Sequence, residues 1–347
     1  MAPHKPQLLS VIVFSAFISC GPKTNLSNQS GNWSNEYELD GPARSEAVSF
    51  IIGDEVYIGT GWNGLNTRFA DFWKFDPASH AWIQIESMPG SPRSSAVAFS
   101  VGLKAYVGTG FDGTNILADF YELDTEGNVW IKKSDFPGGQ RYEAVAFSIG
   151  NLGYVGTGTD GNNAFKDFYQ YDPSADVWTE IGFSGNKRYG ATVFTYQNVA
   201  YLVTGANMIG VMQTDFWKFD PGSPAPNWTQ LRKISNLSNE AYDDDYTTIV
   251  RWNAASFVIP PYAYLSTGEN VGYNANTWRY DFANDLWSVK TSFEGTPLTG
   301  AVGYSLPSTK GGGGFIATGR SAPGPTGSSD FVWEFFPDQN ANPNDNN

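Results

Sequence analysis

Arg141 to Trp178 reads RYEAVAFSIGNLGYVGTGTDGNNAFKDFYQYDPSADVW, and the same order of residues returns along almost the whole chain. An Arg opens the unit, Ala and Phe follow three and six positions on, a Tyr precedes Gly-Thr-Gly, and an aromatic cluster leads to Asp-Pro and a Trp. The Arg recurs at Arg44, Arg93, Arg188 and Arg251, and in all five copies the last Gly of the small turn falls 17 residues later, at Gly61, Gly110, Gly158, Gly205 and Gly268. The late Trp follows at Trp82, Trp130, Trp178, Trp228 and Trp287. A sixth, degenerate copy begins near Leu298, with Ala301 and Tyr304 in register and Gly319 closing an Ala-Thr-Gly. Starts lie 49, 48, 47, 63 and 47 residues apart, so one unit carries an insertion, over 234–250. Self-similarity at such a period is the mark of a repeat architecture.

Within each unit, AVAFSIG and GYVGTG are apolar or alternating, as inner strands buried on both faces should be, and a turn such as Gly150-Asn151 joins them. DFYQYDP and DVWTEI alternate aromatic with polar residues, as outer strands do. Four strands in about 48 residues make a propeller blade. The small residues of Gly-Thr-Gly are expected to let neighbouring backbones crowd near the axis. Trp33 precedes Arg44 by 11 residues, the spacing of Trp82 to Arg93 and of Trp130 to Arg141, so the chain starts with the last strand of a repeat. The sixth copy reaches Trp333-Glu334-Phe335 and Pro337 but supplies no final Trp strand. Trp33 fills that vacancy and removes the edges an open array would expose. The sequence predicts an all-β, six-bladed propeller of four-stranded blades, one domain over 32–337, followed by a disordered tail at 338–347.

Composition agrees: 38 Gly and 16% aromatic residues against 16% charged residues suit short strands and tight turns. A formal charge of −14 argues against a nucleic-acid partner, since phosphate binding needs clustered Lys and Arg. Two histidines, His4 and His80, and one cysteine, Cys20, remove most metal sites and every intramolecular disulfide, and no cofactor is expected. Ahead of the repeats, Lys5 and the apolar run from Leu8 to Ile18 form a signal peptide over 1–20, too short to span a bilayer as a helix. Its end, Phe17-Ile18-Ser19-Cys20-Gly21, resembles a bacterial lipobox in which Cys20 is diacylated, with Phe17 in place of the usual Leu. Residues 21–31 read as a flexible tether. The expectation is an exported monomer of the cell envelope, held at the outer membrane by its N-terminal lipid alone.

These residues resemble the kelch repeat family of β-propellers. The resemblance runs from about Trp33 to Pro337 and rests on the Arg of the first strand, the Tyr-x-Gly-x-Gly-like end of the second (Tyr57 to Gly61, Tyr106 to Gly110, Tyr154 to Gly158), and the aromatic cluster followed by Asp and Trp. Gly-Thr-Gly stands where the family more usually has a Gly-Gly doublet. Kelch propellers include galactose oxidase-like enzymes, whose copper site needs His ligands and a Tyr-Cys crosslink that this chain lacks. They also include exported sialic acid epimerases of this size. The fold by itself assigns neither binding nor catalysis.

Strand order fixes which residues share a face. If the first strand runs from face one to face two, Arg44, Arg93, Arg141, Arg188 and Arg251 ring the channel mouth on face one, where guanidinium forks would bind an anion or a sugar. The opposing expectation is that each Arg pairs with a repeat acid, Asp71, Asp119, Asp167 or Asp215, and ties the blade together. Tyr142, Tyr189 and Trp252 each follow a ring Arg and would stack on a sugar. The loops after the small turn, Trp62-Asn63, Phe111-Asp112, Thr159-Asp160 and Asn207, share that face, as does the insertion. Glu46 and Glu143 occupy one repeat position and are the candidate catalytic carboxylates. Asp243, Asp244 and Asp245 are oxygen-rich enough to suggest calcium, but lack EF-hand spacing and read also as a solvated loop. Three functions remain open: a binding protein for a glycan or protein ligand, a carbohydrate-active enzyme such as a sialic acid epimerase, and a scaffold with no small ligand.

Overall fold

The computed structural model describes residues 30–77, 79–225, 227–307, 311–324, 327–342 and 344. The signal peptide, Cys20 and most of the tether lie outside them. Among the described residues, twenty-four strands, β1 to β24 in chain order, form six antiparallel sheets of four strands. Two single turns of 3-10 helix, Ala241–Asp243 and Tyr246–Thr248, lie within the insertion.

The third blade shows the pattern. Its strands β10 (Val145–Ile149), β11 (Leu152–Gly156), β12 (Phe168–Asp172) and β13 (Val177–Ile181) pair in sequence order. β10 and β11 place Phe147 opposite Tyr154, with rings stacked 5.0 Å apart. The same pair recurs as Phe50–Tyr57, Phe99–Tyr106, Phe194–Tyr201 and Phe257–Tyr264, and reversed in blade six as Tyr304–Phe315. In blades two to five the stack meets an aromatic of the next blade, as Tyr154 meets Phe219 at 5.1 Å. A stacked pair of this kind adds about 0.5–1.5 kcal/mol beyond its burial.

Ring closure follows the spacing read from the sequence. The last sheet has the order β1 (Ser30–Glu38), β24 (Phe331–Asn340), β23 (Gly314–Ala317), β22 (Val302–Ser305), so its outer strand comes from the other end of the chain. Trp33 pairs with Phe335, is fully buried, and meets Phe293 and Phe257 of the blade before edge-on. β24 runs three residues past Pro337, so Asp338 to Asn340 belong to the last blade, and β1 takes in Ser30 and Gly31 from the expected tether.

Two belts of backbone hydrogen bonds run round the molecule. In the first, the N–H groups of Gly61, Gly110, Gly158, Gly205, Gly268 and Gly319 donate to the carbonyls of Arg93, Arg141, Arg188, Arg251, Leu298 and Arg44, each in the next blade, at 2.7–2.9 Å. The fixed 17-residue interval therefore delivers a donor to the neighbouring blade. The crowding expected at this turn is with the blade's own first strand rather than with a neighbour at the axis. Gly158 has φ +88°, and a Cβ there would lie 2.9 Å from the Tyr142 carbonyl oxygen and from the Ala144 Cβ, which restricts the site to glycine. The second belt lies at the channel mouth.

The insertion was placed on face one by strand order, and here the structure corrects the expectation. Its body packs on the side of blade five: the Tyr246 hydroxyl accepts from the Trp287 N–H at 2.7 Å, on outer strand β21 (Leu286–Lys290), and Ile234 and Ile249 are fully buried. Only its end returns to face one, where Asn270 Nδ2 donates to the Val250 carbonyl.

Candidate functional site

The five repeat arginines do not line the channel. All five are fully buried inside their blades. Arg141 donates from Nη1 to the Thr157 carbonyl and to Asp167 Oδ1, and from Nη2 to Asp167 Oδ2 and to the Gly138 carbonyl. Arg44 and Arg93 hold Asp71 and Asp119 with the same two-pronged geometry, and Arg188 holds Asp215. Burial pushes the carboxyls of Asp71, Asp119 and Asp215 up, but the paired guanidiniums outweigh it and hold all three below the usual carboxylate range. A buried guanidinium needs such a partner, and the repeat supplies one. Blade five has Asn276 where the others have the acid, and there Arg251 donates to the carbonyls of Thr248, Ile249, Thr267 and Asn276. The ring is a set of blade ties, which overturns its assignment to ligand.

The residue two positions after each Arg forms the mouth instead. Glu46, Ser95, Glu143, Gly190, Asn253 and Gly300 are all at positive φ, between 50° and 63°. Each N–H donates to the carbonyl of its predecessor and Glu46 donates to Gly300, which closes a ring of six bonds at 2.7–3.2 Å. With the backbone spent in the ring, only side chains distinguish the blades. The Ser95 hydroxyl donates to Glu46 Oε2 at 2.8 Å, and Asn253 Nδ2 donates to Glu143 Oε1 at 3.3 Å. The other Glu143 oxygen, Oε2, is buried and has no hydrogen-bond partner. Burial, and then repulsion from Glu46, pushes Glu143 up to about 8, and burial raises Glu269 as well. Below the mouth the channel is walled by Ala47, Ala96, Ala144, Ala191, Ala254 and Ala301.

Above the mouth, the residue after each Arg bridges to the residue after the small turn: Ser45 with Trp62, Ser94 with Phe111, Tyr142 with Thr159, Tyr189 with Ala206, Trp252 with Glu269, Thr299 with Arg320. These pairs differ from blade to blade, so the symmetry of the ring is broken here. Over blades one to three they enclose a cavity of about 300 Å³, lined by Glu46, Trp62, Arg68, Phe111, Tyr142 and Glu143 among others, at the lower bound for a small-ligand site. Arg68 lies over Phe111 and Trp62, with centroid distances of 4.7 and 5.7 Å, and Arg320 lies over Trp62 at 5.2 Å. Among the described residues neither guanidinium forms an ion pair, and Arg320 Nε is buried without a partner.

Of the residues singled out from sequence, Glu46, Glu143, Trp62, Phe111 and Tyr142 converge on this cavity, while Tyr189 and Trp252 pack edge-on to each other at 5.2 Å on blades four and five. Asn63, Asp112, Asp160 and Asn207 cap their own loops. Asn63 Oδ1 accepts from the Leu65 and Thr67 N–H groups, Asp112 from Thr114 and Asn115, Asp160 from Asn162 and Asn163, and Asn207 from Ile209 and Val211. Asp243 accepts from the Leu237 and Ser238 N–H groups and the Ser238 hydroxyl, and among the described residues no three His, Cys, Asp or Glu side chains are grouped to hold a metal. Asp243 is thus taken up in capping its own loop. Sequence reasoning missed Arg68, Glu269 and Arg320. Glu269 and Arg320 stand in register with Trp62 and Phe111, one residue after the small turn, so alignment of the repeats on Gly268 and Gly319 identifies them.

The KLHDC2/KLHL20/DRC7 Kelch-repeats domain model matches residues 25–205. A solved structure described as "Structure of YjhT" is similar over 85% of this chain and 95% of its own, with 18% identity and a TM-score of 0.68, a likeness in fold. No curated protein gives a significant match.

Proposed function

From the premise that this chain belongs to the kelch-repeat domain family, we propose that it is a binding propeller that takes a glycan on face one, in the cavity over blades one to three. The observation that carries the reading is the meeting of three aromatic rings, Trp62, Phe111 and Tyr142, with two carboxyl groups and the Arg68 guanidinium around one cavity. That guanidinium donates to the Ser94 hydroxyl but, among the described residues, forms no ion pair. Rings offer flat apolar area to the C–H face of a sugar while carboxyls and guanidinium take its hydroxyls, the composition of a small-ligand pocket with few placed polar groups. Arrayed mono- to tetrasaccharides probed with purified residues 30–347 test it. The wild type should retain a discrete set of spots, and Trp62→Ala or Phe111→Ala should weaken them at least tenfold. Retention unchanged in both variants would sink the reading.

The two carboxyl groups in one cavity favour a second reading, acid–base turnover of a bound sugar at its anomeric carbon. Exchange between sugar anomers followed by NMR decides it, since no rate above buffer excludes turnover. The proposal extends to the N-terminus, with export through residues 1–20, acylation at Cys20 and residence in the cell envelope. Globomycin-sensitive processing supports that placement, and processing indifferent to globomycin removes the lipid anchor.

A further inference from the structure

Glu143, together with Glu46 and Ser95, is shared by the two spaces on face one. It lines both the cavity over blades one to three and the mouth of the alanine-walled channel, and of the three it alone keeps a buried side-chain oxygen without a partner. Its hydrogen bonds are half filled: Asn253 Nδ2 donates to Oε1, and Oε2 is buried with no partner. An amide N–H directed at one oxygen marks that oxygen as an acceptor. The other oxygen is then the place for a proton. A buried carboxylate with one donor would leave a charge largely uncompensated, whereas a neutral acid in the same pose lacks only an acceptor for its O–H.

The charged and titratable groups around it agree. Glu46 from blade one and Glu269 from blade five repel a charge on Glu143, while Arg320 from blade six opposes them. The Tyr142 and Tyr189 hydroxyls flank it and are raised by burial and by its charge. Arg68 lies within the field of Glu46, across the same cavity. Burial and the Glu46 repulsion prevail, and Glu143 keeps its proton to about pH 8.

We propose that Glu143 determines specificity as a neutral acid: Oε2–H donates to an oxygen of the bound sugar at the cavity floor, and the site releases the sugar when that proton leaves. The inference rests on the glycan reading above and deepens it. The sugar must present a hydroxyl or ring oxygen as acceptor at its deepest point. If only the protonated form is competent, apparent affinity scales with the protonated fraction. With a midpoint of about 8, affinity falls about thirtyfold between pH 6.5 and 9.5.

The test is the saccharide array at pH 6.5 and 9.5 with wild type, Glu143→Gln and Glu143→Ala, alongside 13C NMR titration of the glutamate carboxyl carbons. The spots kept by wild type at pH 6.5 should fade about thirtyfold at pH 9.5. Glu143→Gln, whose amide donates at every pH, should keep the same spots at both, while Glu143→Ala should lose them at both. In the titration, one carboxyl with a midpoint near 8 should be present in wild type and missing in Glu143→Gln. Spots indifferent to pH in wild type, or lost in Glu143→Gln at pH 6.5, overturn the assignment and leave the glycan reading standing. A Glu143 carboxyl that titrates below pH 6 overturns it without reference to any sugar. An array empty at every pH overturns both.

Discussion

At the scale of single residues, the site separates two kinds of arginine. Arg141 is fully buried against Asp167, whereas Arg68 and Arg320 lie over Trp62 with no acid in contact. Removing one partner of a buried pair strands the other charge and costs about 3–5 kcal/mol, while replacing both with apolar residues of similar volume is often neutral. Arg141→Met should therefore lower the urea-unfolding free energy by that amount, and Arg141→Met with Asp167→Leu should recover most of it. Arg320→Ala should change it by less than about 1 kcal/mol. A loss from the double variant as large as from the single would mean that the carbonyl bonds of Arg141, rather than its acid, hold the blade. The same contrast explains what the sequence could disclose. Arg141 was visible because it recurs, and it recurs because every blade needs the tie. Residues outside that tie are free to differ from blade to blade: Glu143 and Glu46 share their position with Ser95, Gly190, Asn253 and Gly300, and Arg320 shares its own with Trp62 and Ala206. Spacing detects the scaffold, and departures from the repeat within an aligned column point to the site.

At the scale of elements, the insertion at 234–250 behaves as a side cap. The sequence disclosed its length through one long interval, but nothing in the spacing said where a 16-residue excess would settle. What settles it is burial of Ile234, Tyr246 and Ile249 against the outer part of blade five, together with a two-way bond between Tyr246 and Trp287. The Tyr246 hydroxyl accepts from the Trp287 N–H at 2.7 Å and donates to its carbonyl at 3.3 Å. The cap thereby occupies backbone groups on the free edge of β21, the kind of edge that otherwise invites pairing with another chain. Tyr246→Phe keeps the ring and its packing while leaving a buried N–H unpaired, a cost of about 1–3 kcal/mol. Hydrogen exchange should show it as faster exchange at Trp287, with blades one to three unaffected. Exchange at Trp287 no faster than in wild type would mean that the Tyr246 hydroxyl does not protect this edge.

At the scale of the whole molecule, six blades become one body through the two belts of backbone bonds and through a seam that no covalent turn secures. The seam was legible because an 11-residue spacing from Trp to Arg recurs where a blade is otherwise incomplete. The closed shape builds the cavity, since it draws on blades one to three and the carboxyl of Glu143 is bonded to Asn253 of blade five. Trp33 and Trp82 provide a matched comparison. Both belong to outermost strands and are buried to 0% and 5% exposure. Trp82 is on β5 (Ala81–Ile85), which a short turn joins to β4 (Phe72–Asp76), while Trp33 is on β1, which reaches its sheet only by pairing with β24. Either change to Ala removes a comparable apolar area and should cost about 3–5 kcal/mol. Trp33→Ala should do more, because weakening β1 frees the edge of β24 and opens the ring. It is expected to give a first unfolding transition at lower urea than Trp82→Ala and a concentration-dependent dimer on gel filtration. Equal midpoints and two monomeric variants would show that closure contributes no more than the burial of one indole.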